Sequence, residues 1–383
     1  MKKVLLVDTN VSSAPIHDYL MRAGYEVFVC GANPADFLAK VSRNYVNMDY
    51  SDIGKTQALV EALAVDYIVP GCNDHSYQVC AELNADGHFP GLDSGRVATE
   101  INNKQQFRAL ASQIGLPVPR VIPDDKAVDV WPVIVKPVDA YSGRGITIVR
   151  EQSRDALPDA IRQARAYSRT RSCIVEEYVE GQLFSHSAFI AQGMVQSDFV
   201  VEEHGTANPF VVDTSRVVYD FPHNMLERLR ECVAGLARNL ELVDGLVHTQ
   251  FIRHGDRFWV VEITRRCPGD LYSQLIELST GFRYAEAYAR PFLGLAADMG
   301  KQSLVQSRVM RHTLSLPVEG VLEALRFSLP VQIEKLVPLS LAGDVVKASP
   351  FGRIGLLFAG ARSETEFADL FEATLKRKLY SIH

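Results

Sequence analysis

Short apolar blocks alternate with helix-spaced segments over the first hundred positions. Residues 2–7 predict a buried strand, residues 14–23 a helix closed by Gly24, and YEVFVCG (25–31) a second strand. A helix over 55–64 leads into a third strand, DYIVPGCND (66–74). This β-α-β-α-β order predicts a small parallel, doubly wound sheet. Around Asn102 the pattern changes to an amphipathic helix that ends at Gly115 and is stopped by Pro117 and Pro119. WPVIVKPVDAYSGRGITIVR (131–150) predicts a strand, a glycine-bearing loop and a return strand. A helix over 155–169, a strand over 172–181, a strand pattern over 184–205 broken at Gly193, and a helix over 225–240 follow. Residues 245–270, GLVHTQFIRHGDRFWVVEITRRCPGD, predict two strands around the polar turn 254–256. A helix over 270–278 comes next, with Asp270 as its cap. The tail predicts short strands over 307–316, 345–348 and 354–359 and a helix over 364–378. The fold class is α/β, mixed α+β over the whole chain.

With 383 residues the chain has room for two or three domains and a large core. Its 47% hydrophobic and 22% charged content is that of an ordinary globular protein. A net charge of −6 excludes general attraction to nucleic acid or an anionic membrane, so a polyanion site must be a local basic pocket. Asp8 follows the two N-terminal lysines too soon for a secretory signal, and no apolar run could span a bilayer. A cytoplasmic location is expected. The six cysteines, at 30, 72, 80, 173, 232 and 267, show neither C-x-x-C spacing nor zinc-type histidine pairing, which fits reduced thiols. Cys267 follows two arginines that would lower its pKa, yet no general base lies beside it in sequence.

The richest chemistry lies in the hairpin over 245–270. Strand side chains alternate, so Glu262, Thr264 and Arg266 share one face. Gln250 lies directly across from Glu262 if the loop leaves an odd number of unpaired residues, such as 255–257. An amide, a carboxylate, a hydroxyl and a guanidinium on one face are an oxygen-ligand set for a hard cation with an arginine beside it. A solvated hairpin end is the competing account. Upstream, a strand delivers Lys136 next to the loop Ser142-Gly143-Arg144-Gly145, whose glycines let backbone N–H groups approach phosphate, although a hairpin turn would also use them. Asn73, Asp74 and His75 sit at a strand's carboxyl end, where doubly wound sheets place ligands, but helix capping also accounts for the first two. Arg216 is either an anion clamp or a paired core arginine, and His248 either a catalytic or a packed strand histidine.

These segments together resemble the ATP-grasp superfamily of carboxylate–amine ligases and their relatives, including biotin-carboxylase-like and carbamoyl-phosphate-synthetase-like members. NNKQQFRALASQIGLPVPR looks like the family's opening helix, and VIVKPVDAYSGRGITIV like its lysine strand and phosphate loop. VEEYVEG is similar to the adenine hinge, and the hairpin ending VVEITRR to the metal strands. The resemblance implies an N-terminal domain over 1–96 and an ATP-grasp domain over 97–300, with its lid near 131–172 and its hinge near 173–181. A small C-terminal α+β domain over 301–383 would complete the chain. Relatives with such a tail are often dimers, so a homodimer is one assembly the resemblance admits.

The resemblance implies ATP and one or two Mg²⁺ ions, for which Mn²⁺ can substitute. Lys104 and Lys136 would contact the phosphates, with Ser142, Gly143, Arg144 and Gly145 over them. Glu176 would accept from the adenine amino group, backbone groups of Glu177, Tyr178 and Val179 would complete that edge, and Glu180 or Gln182 would take the ribose. Glu262, Gln250 and Thr264 would hold metal, and Arg266 would steady the transferring phosphoryl group. Asn73, Asp74, His75, Arg216, His248, Arg265 and Asp270 are candidate substrate contacts. Relatives often have Glu at position 250 and Asn at 264, so the metal set here shows one certain anion rather than two. The implied reaction is ADP-forming: a carboxylate is activated as an acyl phosphate and joined to an amine. Activation of bicarbonate, or ATP binding without turnover, are the alternatives.

Overall fold

The computed structural model describes residues 1–123, 128–140, 143–297 and 302–382. Strands β1 (Lys3–Val7), β2 (Glu26–Gly31), β3 (Tyr45–Asn47) and β4 (Tyr67–Pro70) form a parallel sheet in the order β3-β2-β1-β4. Val4 to Val7 are completely buried, as a strand covered on both faces requires. The three-residue β3 is too short and half-polar to show as a pattern. Asp8 ties the loops beyond these strands together: its Oδ2 accepts from the Ser13 hydroxyl at 2.6 Å and from Cys72 N–H at 3.2 Å. Gly71 passes so close that a Cβ there would lie 2.1 Å from the Asp8 Cβ.

Helices α1 (Ala14–Arg22), α2 (Phe37–Val41) and α3 (Ile53–Leu63) connect these strands, and after β4 come α4 (Asp74–Leu83), α5 (Gly95–Asn102) and α6 (Lys104–Gln113), so the single expected helix near Asn102 is two helices meeting at Asn103. The Asn103 side chain accepts from the N–H groups of Gln105 and Gln106, ending one helix and starting the next. Strands β5 (Val133–Pro137), β6 (Thr147–Val149) and β7 (Cys173–Glu177) make an antiparallel sheet in the order β6-β5-β7. Helix α7 (Leu157–Tyr167) packs on it through Ala160 and Ala164.

The largest sheet has eight strands. β8 (Gln182–Ala191), β9 (Met194–His204), β10 (Thr214–Val218), β11 (Gly245–His254), β12 (Arg257–Thr264) and β13 (Val309–Leu314) run in the order β12-β11-β8-β9-β10-β13. Gly355–Gly360 and Gln332–Pro338 then complete it. The tail is thus hydrogen-bonded into the same sheet as the hairpin. Helix α8 (His223–Leu240) covers one face with Met225, Leu229, Val233, Leu236 and Leu240. The opposite face joins the core of the parallel sheet through Phe189, Phe199, Val201, Val217 and Leu246, and carries the polar groups described below. No helix among the described residues is long and apolar enough to cross a membrane.

One polar link crosses the covered face. Asp198 on β9 accepts two hydrogen bonds from Arg230 on α8, both at 2.7 Å, and lies 2.9 Å from His186 Nε2. Burial pushes the Asp198 carboxyl up, but the bonds from Arg230 and His186 outweigh it and hold the group well below the usual carboxylate range. A depressed folded-state pKa contributes stability above the ordinary carboxylate pKa and loses it as pH falls toward the folded value. Asp198→Asn should therefore lower stability at neutral pH by about 2 kcal/mol and flatten its decline between about pH 5 and about pH 3. Urea titrations across that range check this; an unchanged acid slope would rule out the assignment.

Candidate active site

The hairpin pairs Gln250 directly with Glu262, as expected, but by a different route. The loop has two residues rather than three: His254 pairs with Arg257, and Gly255 takes a φ of 61° between them. The parity is restored by a bulge, since Phe251 pairs with Val260 and Gln250 with Glu262, which leaves Val261 as the extra residue. The Val261 carbonyl accepts from Arg108 Nη2 at 2.9 Å. The bulge turns Glu262 onto the face of Gln250, with its side chain 37% exposed and Lys104 Nζ 4.0 Å away. Lys104 also donates to the Ala140 carbonyl at 3.2 Å. Thr264 is buried, its hydroxyl donating to the Arg266 carbonyl at 3.4 Å, so Glu262 is the accessible anion of the set.

Lys104 and Arg108 lie four residues apart on α6 and therefore on one face. Arg108 Nε donates to Glu176 Oε1 at 2.5 Å, and the other oxygen of Glu176 pairs with the Lys136 ammonium. All three groups are buried. Burial pushes the Glu176 carboxyl up, but Lys136 and Arg108 more than offset this and hold it below its usual value. Burial also lowers Lys136, with Glu176 opposing. Glu176 was expected to accept from adenine; its carboxylate is instead the buried anchor of two cations. The Glu177 carboxylate and N–H both bond to the Arg120 backbone, at 3.0 and 2.9 Å, and Tyr178 N–H donates to the Pro132 carbonyl at 2.9 Å. Those two N–H groups are thus not available to a base edge in this state. Among the described residues no acceptor pairs with Val179 N–H. The Gln182 amide nitrogen donates to the Leu183 and Glu203 carbonyls. Glu180 is exposed, 3.9 Å from Arg150.

The glycine loop keeps its expected form. Gly143 and Gly145 have φ of 69° and 70°, and a Cβ at Gly145 would lie 2.9 Å from the Tyr167 ring. Arg144 between them is exposed. Ser142 lies outside the described residues. At the loop's base Asp139 accepts from the N–H groups of Arg169 and Thr170.

The substrate candidates divide. Arg266 and Asp74 come together in a two-pronged pair, at 2.8 and 3.0 Å, which links α4 to the hairpin. Burial lowers the Arg266 pKa, but Asp74 reverses this and keeps it charged. Asn73 caps α4 by accepting from Ser76 N–H, and the half-buried His75 ring lies 5.6 Å from the Tyr50 ring at a tilt of 31°. Arg265 is not a substrate contact: its three nitrogens bond to Asp93 and the carbonyls of Leu246 and Val243, leaving no exposed donor. Arg216 is the paired arginine of its two readings, bound to Glu202 at 2.7 Å and lying 4.5 Å above the Phe371 ring. His248 is packed: its Nδ1 meets the Ser187 hydroxyl at 2.9 Å, and burial followed by Arg266 pushes its pKa well down. Asp270 does not cap the next helix, which starts at Tyr272 after Leu271 in the left-handed region. It bonds instead to Arg353 at 2.6 Å and lies 3.6 Å from Arg311. Cys267 is fully buried and burial raises its pKa well above the usual value, which removes it as a nucleophile.

Arg108, Glu203, Arg311 and Arg353 were not anticipated. Arg108 alone had a local signal, a charge among the buried residues of α6. The register lines up Glu262, Gln250 and Ser185 across β12, β11 and β8, and Glu203, Ser215 and Arg311 across β9, β10 and β13. Glu203 is 4% exposed, and its Oε2 accepts from Gln250 Nε2 at 2.7 Å. Burial pushes the Glu203 carboxyl up, against Ser185, Gln250 and Arg311. Oxygen donors on Glu262 and Gln250, cations on Lys104 and Lys136 and a tight glycine loop fit a divalent ion and a polyphosphate.

Glu176→Gln should leave two buried cations without their anion and cost about 3–5 kcal/mol. Lys136→Met in that background should recover part of the loss. Chemical denaturation of the three variants checks this; equal stability of wild type and Glu176→Gln would show that the pair is not coupled.

The ATP-grasp domain profile matches residues 130–274, which span the lysine strand, the hinge and the hairpin. Formate-dependent phosphoribosylglycinamide formyltransferase of Polaromonas naphthalenivorans is 27% identical over 353 residues, covering 85% of this chain and 84% of that protein. L-amino acid ligase from Bacillus licheniformis shares the fold, with a TM-score of 0.82 at 16% identity over 100% of this chain and 98% of that one. Phosphoribosylglycinamide synthetase from Anaerococcus prevotii does so at 0.76 and 17% identity, over 100% and 99%. The ATP-grasp domain match thus lies on the segments that build the site, within a fold that both solved structures share along the whole chain.

Proposed function

We propose that this protein is an ADP-forming ligase that activates a carboxylate with ATP and transfers the acyl group to an amine. The observation that carries this reading is an accessible carboxylate, Glu262, 4.0 Å from Lys104 on the face that also bears Gln250. Glu262 and Gln250 would hold Mg²⁺, whose charge would offset that developing on the phosphates. Lys104 and Lys136 would bind phosphate oxygens as point charges, under the loop of Gly143, Arg144 and Gly145. Val179 N–H would meet the adenine edge, and the Gln182 amide oxygen a ribose hydroxyl.

In the first step a substrate carboxylate oxygen attacks the γ-phosphorus and ADP leaves, forming an acyl phosphate. Arg266, held by Asp74, would face the negative charge on the transferred group. In the second step an amine attacks the acyl carbon, phosphate leaves and the nitrogen loses a proton. Arg353 and Arg311, brought to the same sheet by the tail, would seat an anionic group of one substrate. That fits the formyltransferase and synthetase relatives, whose names specify a phosphoribosyl compound. The buried thiols Cys30, Cys72, Cys80 and Cys267 suit a reducing cytoplasm.

ADP release from purified protein with Mg-ATP tests the reading. Phosphoribosylated amines should be supplied with formate or amino acids, and bicarbonate in separate reactions. Release that requires an amine and a carboxylate, with amide formed, is the expected result. Release driven by bicarbonate alone, or ATP binding without turnover for every pair, would overturn it. Glu262→Ala should reduce turnover by more than about 10³-fold with little change in melting temperature.

A further inference from the structure

The register places Gln250, a neutral amide, directly opposite Glu262. A neutral amide there would lower the anionic charge available to a cation. An amide also has two unlike ends, and only the oxygen end can ligate a metal. In this structure Gln250 Nε2 donates to Glu203 Oε2 at 2.7 Å. Glu203 reaches this point from β9, two strands away from β11 in the sheet, and is 4% exposed. Ser185, fully buried on the intervening strand and paired in register with Gln250, has its hydroxyl 3.0 Å from the Tyr272 hydroxyl. Arg311 lies on the far side of Glu203, across Ser215.

We propose that Glu203 is a positioning residue that works through Gln250. By accepting from the amide nitrogen, it turns the Gln250 oxygen away from itself and toward the cation face shared with Glu262. It also places a carboxylate one side chain behind the ligand. A glutamate at 250 would set two carboxylates against each other at this contact distance, so Glu203 and Gln250 form a matched pair. Carboxylates that orient a metal ligand from behind act on affinity through direction as well as charge. The proposal rests on the reading of Glu262 and Gln250 as the metal face.

The test is the affinity for Mn²⁺, read by electron paramagnetic resonance in the presence of a non-hydrolysable ATP analogue. Glu203→Gln offers Gln250 a partner that can meet either end of its amide, so the orientation is no longer imposed. Its dissociation constant for Mn²⁺ should rise about tenfold. The exchanged double variant Glu203→Gln/Gln250→Glu puts the carboxylate on the metal face and an amide donor behind it. It should bring Mn²⁺ binding back to within about twofold of wild type or tighter. A purely structural role for Glu203, for instance facing Arg311, would not be rescued by a change at position 250. Glu262→Ala in the same assay separates the two ideas. If it weakens Mn²⁺ binding while Glu203→Gln stays within about twofold of wild type, or the exchange fails to restore binding, the positioning role is overturned. If Glu262→Ala itself binds Mn²⁺ like wild type, the metal face is wrong.

Discussion

The buried pairing of Glu176 with Arg108 and Lys136 is the contact on which the site's geometry depends. It joins α6, the lysine strand and the hinge strand in one charged knot, and Arg108 extends it to the hairpin through the Val261 carbonyl. Removing three charges from water is costly, and the arrangement is tolerable only because each cation faces the same anion at hydrogen-bonding distance. The consequence is directional. Lys136 is held at a set position between the strands, and Lys104, one turn before Arg108, is carried toward Glu262.

The hairpin bulge is the second constraint. A regular two-residue loop would have set Glu262 on the opposite face from Gln250, because side chains alternate with a period of two. One extra residue at Val261 reverses that parity for everything beyond it, including Thr264 and Arg266. The carbonyl of that extra residue is met by Arg108, so the irregularity and the charged knot support each other. A second cross-link, Arg266 to Asp74, ties the end of the hairpin to the first helix after the parallel sheet. Arg265 makes a deeper pair with Asp93, in the segment between α4 and α5, so one of two adjacent arginines is wholly engaged in structure while the Arg266 side chain keeps 16% of its surface exposed.

Much of the fold was legible because its signals are local. The apolar runs of β1 and β2, the Gly115-Pro117-Pro119 stop and the hairpin all rest on neighbours in sequence. Short β3 and the split at Asn103 were not, since three residues carry little pattern and the end of one helix abuts the start of the next. Single charged residues misled more often than elements did. Arg265, Arg216 and Asp270 were offered as substrate contacts because a charge in an apolar context signals either function or a buried partner. Their partners, Asp93, Glu202 and the Arg353–Arg311 pair, lie far away in sequence or, for Glu202, on the next strand of the sheet.

By itself the sequence determined most of the elements and their order, and it placed Lys136, the loop glycines and Glu262 on or beside predicted strands. These depend on backbone preference and side-chain period, which act over a few residues. Tertiary structure decided which charges neutralise one another and which stay open to a ligand. Glu176 accepts from Arg108 and pairs with Lys136 rather than facing adenine, and Glu203 meets the Gln250 amide, because burial and pairing are set by strands that meet only in the folded sheet.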